Sequence, residues 1–230
     1  MGDGWIYMNE TMQGVLTAEH AGIRKNIYFA VKRLFDIFVG LVGTILLLPI
    51  ALVIKVAYLI DGDKAPIIFK QARIGKNGKT IYIYKFRSMV PDADKILMIM
   101  LKKNKKVREE YMKNRKLKDD PRITRVGKII RRASIDEFPQ FINVLKGEMS
   151  VVGPRPYLHR EQEDMGRFYN KIITCKPGVT GYWQVSGRSN TDFKTRLKMD
   201  NFYCENQGFK FDFKLFIKTF ETVLGMDGAK

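Results

Sequence analysis

Residues 34–60 read LFDIFVGLVGTILLLPIALVIKVAYLI, a run in which only Asp36 and Lys55 carry charge. As a helix it can reach across a hydrocarbon core of roughly 30 Å, and a soluble core helix is rarely apolar on every face. The run starts too late for a cleavable secretory signal, lacks a small-residue cleavage pattern, and is followed at once by a basic hairpin. It therefore reads as inserted in a membrane.

The flanks bear on how it inserts. Arg24, Lys25, Lys32 and Arg33 precede the run, and Lys64, Lys70, Arg73, Lys76 and Lys79 follow it. A simple span shows an asymmetry of positive charge between its ends, whereas here both ends look cytoplasmic. Pro49 lies near the middle, where a ring without an N–H bends a helix. A re-entrant helix broken at Pro49 fits both observations, and a Pro-kinked single span with a translocated N-terminus is the alternative. The division expected is residues 1–29 as leader or linker, of which 1–23 lack strong periodicity and are locally disordered, 30–62 as the membrane helix, and 63–230 as one cytoplasmic domain.

Outward from that segment, two β-rich runs, 67–74 and 80–86, flank KNGK at 76–79, a strong hairpin signal. Residues 92–118 predict one or two helices with Ile96, Leu97, Met100 and Leu101 on one stripe and a heavily basic opposite side, suited to anionic headgroups. Phe213, Phe216, Ile217 and Phe220 recur at helical spacing behind Asp212, as in a terminal helix docked on the core. Lysine and arginine total 41 against 24 aspartate and glutamate, a net charge of +17 that implies an anionic partner. Cys175 and Cys204 have no ligand-spaced companions, so neither a zinc site nor a disulfide framework is indicated.

Within this basic chain, residues 131–156 (RRASIDEFPQFINVLKGEMSVVGPRP) hold two adjacent carboxylates, Asp136 and Glu137. Ser134 to Glu137 fits a capping box at a helix start. Paired acids among arginines also suit a carboxylate nucleophile, a metal ion and a phosphorylated substrate. The two readings are compatible, because a helix start lends its amides to a phosphate.

The order of motifs resembles the bacterial sugar transferase family, the monotopic polyprenyl-phosphate phosphoglycosyl transferases. The matching pieces are KRLFD (32–36) with the proline-containing apolar segment, KFRSM (85–89), DPRIT (120–124), SIDEFPQ (134–140), NVLKG (143–147), GPRP (153–156), KPGVTGYWQVSGR (176–188) and Asp200. The resemblance implies an α+β fold: a small mixed α/β catalytic core with a β-hairpin, the re-entrant helix, and interfacial amphipathic helices. The implied activity moves hexose 1-phosphate from a UDP-sugar to undecaprenyl phosphate, releases UMP, and primes capsule, exopolysaccharide or O-antigen synthesis at the cytoplasmic face of the bacterial inner membrane. By the same resemblance Asp136 is the nucleophile and Glu137 a Mg²⁺ ligand. Lys85, Arg131, Arg155 and Arg188 are candidates for phosphate contacts, since forked donors match phosphate oxygens, while Gln184 and Asp200 take supporting roles. Asp36 is expected to pair with Arg33 at the membrane edge. Many relatives carry serine before the proline, where this chain has Leu48.

Implied partners are the UDP-sugar, undecaprenyl phosphate and anionic lipids, with downstream glycosyltransferases and an oligomer both open. The sugar leans to galactose or glucose. Two rivals come from other classes: a non-catalytic scaffold for polysaccharide assembly, against which the intact acid pair argues, and a basic nucleic-acid-binding protein. No soluble DNA binder needs the apolar run, so nucleic acid is not an expected partner.

Overall fold

The chain enters as one long helix, α1 (Asp3–Ile60), in the computed structural model. The structure describes residues 3–114, 117–186 and 191–224, with side chains for 22–112, 117–186 and 191–222. Two expectations change here. The sequence predicts a break at Pro49, but the helix continues through it, and residues 3–23, read as a disordered leader, are helical. Pro49 lacks the donor that the Ile45 carbonyl would receive; the helix carries on because the turns around it are held against the rest of the chain.

Those holding contacts recur every three or four residues. Lys32 donates to the Val152 carbonyl at 2.9 Å and to Asp212 at 2.5 Å. Gly40 faces Leu145, and a Cβ on Gly43 would lie 2.3 Å from the Phe141 ring, so α1 approaches as closely as it does only because no side chain intervenes. Leu47, Ile50 and Ala51 join buried Ile54 and Tyr58 in a cluster with Phe86, Val126 and Ile130. The Tyr58 hydroxyl, one turn further on, donates to the Arg87 carbonyl. The other face stays open, with Leu34, Phe38, Ile45, Leu48, Leu52 and Val53 all exposed. Gly22–Ile60 is long and apolar enough to cross a membrane, and an 18-residue window within it has a mean hydropathy of 2.8 and is 17 % buried.

Asp36 is 2 % exposed and accepts from Ser150 Oγ at 2.9 Å and the Val151 amide at 2.8 Å. The expected Asp36–Arg33 pair is absent, because Arg33 points instead to the Val144 and Leu145 carbonyls at the end of a neighbouring helix. The two residues lie three apart, but the domain offers each a better partner. Asp36→Leu is expected to strand two buried donors and cost about 3 kcal/mol, read as a lower unfolding midpoint in detergent; Asp36→Asn, which keeps an acceptor, should cost less.

After α1 the hairpin forms as the sequence predicts. β1 (Ile68–Ile74) pairs antiparallel with β2 (Thr80–Phe86), Ile74 opposite Thr80, and Asn77 takes a left-handed φ of 57° in the turn. Next come α2 (Ala93–Lys103) and α3 (Lys105–Asn114), which share a satellite cluster of Leu97, Tyr111 and Leu117. Asp120 and Arg122 form a buried fork at 2.8 and 2.5 Å, which fixes the loop into α4 (Arg125–Arg132), capped by Thr124. α5 (Gln140–Lys146) is tied to the hairpin by Asn143, which bonds both Tyr82 and Tyr84.

The second sheet is small: β3 (Ser150–Val152) runs parallel to β4 (Gly178–Thr180). Between them lie the single-turn helices α6 (Gln162–Met165) and α7 (Tyr169–Ile172). α8 (Tyr182–Ser186), α9 (Phe193–Asn206) and α10 (Phe209–Leu224) complete the described chain. The main core joins β2, α5, β3, α9 and α10 through Ile83, Val144, Val151, Tyr203 and Leu215. α10 docks by Leu215 and by Phe216 stacked edge-on against Phe35, yet Phe209, Phe213, Ile217 and Phe220 remain exposed. The terminal helix thus docks on the core by one face, and its other face stays exposed.

Candidate active site

Asp136 and Glu137 occupy a 3-10 turn, Ile135–Glu137, between α4 and α5. The expected capping box does not form: Ser134 adopts a left-handed φ of 56° and its side chain caps nothing. A non-glycine residue there costs about 1–2 kcal/mol, strain of the kind that clusters at functional sites. The turn is anchored by its flanks, because Ile135 and Phe138 pack into the cluster that contains Leu47, Ile50 and Ala51 of α1. The acid pair therefore sits beside the apolar helix at the level of Pro49.

Cations converge on it. Lys85, from the end of β2, bonds Glu137 Oε1 at 2.7 Å. Arg131 Nε, in the last turn of α4, donates to Ser88 Oγ at 2.8 Å, so the KFRSM segment positions a lysine and braces an arginine. Arg155 follows β3 and aims into the same cleft, its backbone amide bonded to Asp200 at 3.1 Å. Arg73, Lys85, Glu137, Gln140, Arg155, Trp183 and Gln184 line this opening of about 360 Å³.

The electrostatics separate the two acids. Burial pushes Asp136 up to about 6, with Glu137 adding to the rise while Lys85 and Arg131 oppose it. Burial also acts on Glu137, but the charge and hydrogen bond of Lys85, with Arg155 and Arg73, more than offset it and hold Glu137 below its ordinary value. One carboxylate is thus firmly ionised and its neighbour poised, the pattern by which environments divide roles between paired acids. A nucleophilic role for Asp136, as the resemblance implies, would need the carboxylate form, so on that expectation activity falls as pH drops through about 6, against about 4 for an ordinary aspartate. A pH profile of kcat/KM checks this.

Of the residues picked from sequence, Lys85, Glu137, Arg155 and Gln184 line one cleft, while Asp136 and Arg131 stand beside it, Asp136 feeling the charges of Lys85, Glu137 and Arg131. Asp200 stands behind: it is fully buried, accepts from Tyr157 at 2.7 Å and the Arg155 amide, and burial pushes it up to about 7. Gly187 and Arg188 lie outside the described residues. Sequence reasoning missed Arg73, read only as a flanking charge, although an inward position in a half-buried strand was a signal available to it. It also passed over Trp183, although it lies within the 176–188 motif, and Arg196, which no motif marks and whose guanidinium lies 4.9 Å from the indole ring centroid.

A strained acid turn near a membrane-type helix, ringed by cations, has counterparts among known proteins. The profile of the family described as Bacterial sugar transferase matches residues 27–226. The chain belongs to the bacterial sugar transferase family. Among its relatives, the undecaprenyl-phosphate galactose phosphotransferase of Salmonella typhimurium is 43 % identical over 198 residues, covering 86 % of this chain and 41 % of that protein. The exopolysaccharide production protein ExoY of Sinorhizobium fredii is 38 % identical over 192 residues, 84 % of each chain. The UDP-glucose:undecaprenyl-phosphate glucose-1-phosphate transferase of Klebsiella pneumoniae is 39 % identical over 198 residues, 82 % of this chain and 39 % of that one. This sugar transferase chain thus spans about two fifths of the length of the Salmonella and Klebsiella proteins.

Proposed function

We propose that this chain transfers hexose 1-phosphate from a UDP-sugar to undecaprenyl phosphate through a covalent aspartyl intermediate. The observation that carries the reading is the acid pair of divided ionisation, set in a cationic cleft beside an apolar helix. An Asp136 Oδ attacks the sugar-bearing phosphorus, the bond to the UMP oxygen breaks, and UMP departs. An oxygen of the lipid phosphate then attacks the same phosphorus, which breaks the acyl phosphate and restores the carboxylate. The two-step path avoids bringing two polyanions together at once. Lys85, Arg131 and Arg155 offset the charge that spreads over the phosphoryl oxygens, which is the main work of such a site.

Among the described residues no three His, Cys, Asp or Glu side chains group as a metal cage. One carboxylate facing a phosphate site suits magnesium, which binds through one or two carboxylates with substrate oxygens and water. Glu137 would hold it, and it would supply neutralisation of the diphosphate. Excess chelator is expected to stop turnover by at least about 100-fold and added Mg²⁺ to restore it; full rates in chelator would exclude the role.

The same reading places the chain on the cytoplasmic leaflet. Lys32 and Tyr58, near opposite ends of the apolar run, both bond the folded domain. A helix crossing perpendicular to the membrane would drag that domain through the bilayer, so we take the continuous α1 to lie along one leaflet with both flanks on one side, giving the division 1–29, 30–62 and 63–230. The exposed Phe209, Phe213 and Phe220 of α10, and Met98 and Ile99 beside the lysines of α2, suit the same surface. Cysteines placed before residue 30 and after 64 should both label from the cytoplasm; labelling from opposite sides would establish a span. Release of UMP from a panel of UDP-sugars, with undecaprenyl phosphate and magnesium, tests the activity and identifies the sugar; galactose and glucose are the leading candidates.

A further inference from the structure

Arg73 is a buried cation whose recorded hydrogen-bond partners are neutral. It is 7 % exposed, donates to the Pro156 carbonyl at 2.9 Å and to Gln71 Oε1 at 2.5 Å, and leaves Nε buried without a partner. Burial and the nearby Arg155 hold its guanidinium down at about 9, and Glu161 and Glu137 offset this only in part. A charge kept in that position is costly unless an anion arrives to pair with it.

Two more buried polar atoms, on residues that line the same cleft, are unsatisfied. Trp183 Nε1 and Gln184 Oε1 are both buried without partners, while Gln184 spends its amide nitrogen on the Val179 carbonyl at 3.0 Å. Both residues line the cleft with Arg73. Two guanidinium groups lie against the Trp183 ring, Arg196 at 4.9 Å and Arg155 at 5.9 Å from its centroid. One donor and one acceptor left open on neighbouring residues match a hydroxyl, which can accept from the first and donate to the second.

We propose that Arg73, Trp183 and Gln184 form the subsite for the phosphohexose half of the donor. Arg73 takes the sugar-bearing phosphate, and the Trp183 N–H and Gln184 Oε1 take one sugar hydroxyl. The assignment rests on the reading of the cleft as a UDP-sugar site. It goes further by giving these residues the sugar phosphate rather than the uridine, and by making Trp183 and Gln184 readers of the hexose. Unpaired polar atoms discriminate well against a ligand that lacks their partner.

The test uses the full chain in nanodiscs, with hexose 1-phosphate and UMP as separate probes. Arg73→Met should weaken hexose 1-phosphate binding by about 10-fold or more and leave UMP within about threefold, with an unfolding midpoint unchanged or raised, since an uncompensated buried cation is gone. Trp183→Phe keeps the ring and removes only the N–H, and should raise KM for the UDP-sugar by about fivefold with kcat little changed. A lower midpoint in Arg73→Met with undiminished hexose 1-phosphate affinity would make Arg73 a structural strut and overturn the subsite. So would an unaltered chain that fails to bind hexose 1-phosphate at millimolar concentration, or an unchanged KM in Trp183→Phe. Arg73-dependent capture of hexose 1-phosphate by a chain that never releases UMP would sink the transferase reading and leave the phosphate subsite standing. Normal turnover in both variants would do the reverse.

Discussion

Asp136→Asn is expected to cut UMP release by about 10⁴-fold or more, because an amide cannot form the acyl phosphate and loss of a nucleophile removes the whole covalent path. The same change should stabilise the fold. In the folded chain Asp136 is raised to about 6 from an ordinary 3.8. The folded state therefore holds more protons than the unfolded one between those values, and its stability falls as pH rises through that window. Above it the buried charge opposes folding by roughly 1–3 kcal/mol, and asparagine removes that charge. A higher unfolding midpoint at pH 7, together with lost turnover, is the expected pair of results. Undiminished turnover would remove the nucleophile assignment, and mass spectrometry of wild-type chain incubated with UDP-sugar alone should find the phosphosugar adduct. Membrane association should be intact, since the helix contacts beside the acid pair involve Ile135 and Phe138 rather than the carboxylate.

Gly178→Ala is expected to disable the site without removing any charged or polar group from it. A Cβ at Gly178 would lie 2.2 Å from the Gly153 nitrogen and 2.4 Å from the Thr180 carbonyl oxygen, both backbone atoms that no rotamer change can move. Relief requires β3 and β4 to separate, and these carry Arg155 on one side and Trp183 and Gln184 on the other. Overpacking of this kind costs about 3 kcal/mol, and activity should fall at least tenfold even where the variant still folds at low temperature. The measurement is a thermal unfolding curve paired with UMP release at a temperature where the variant is folded. A variant with wild-type midpoint and rate would mean that the two strands are not held as closely as described.

Much of the fold was legible in the residues because it depends on local signals. The KNGK turn between two β-rich runs gave the hairpin to within a residue, since turn chemistry and alternation act over a few positions. The apolar run gave the helix for the same reason. Ser134 misled, because a hydroxyl three residues before an acid can cap a helix only if its backbone is extended, and the packing of Ile135 and Phe138 on α1 accompanies a left-handed turn instead. Asp36 misled in the same way: its neighbour in sequence was a worse partner than Ser150 and Val151, which arrive from more than a hundred residues away.

By itself the sequence determined the acid pair, the basic ring of candidates and the membrane-type helix, because each is a matter of residue type and short spacing. Only the tertiary structure decided which cations share a cleft with Glu137, that Asp200 braces the Arg155 backbone, and that Arg73 is buried with neutral partners. Those facts depend on contacts between segments far apart in the chain, and on what solvent can no longer reach. Neither distance nor desolvation is written in any one segment.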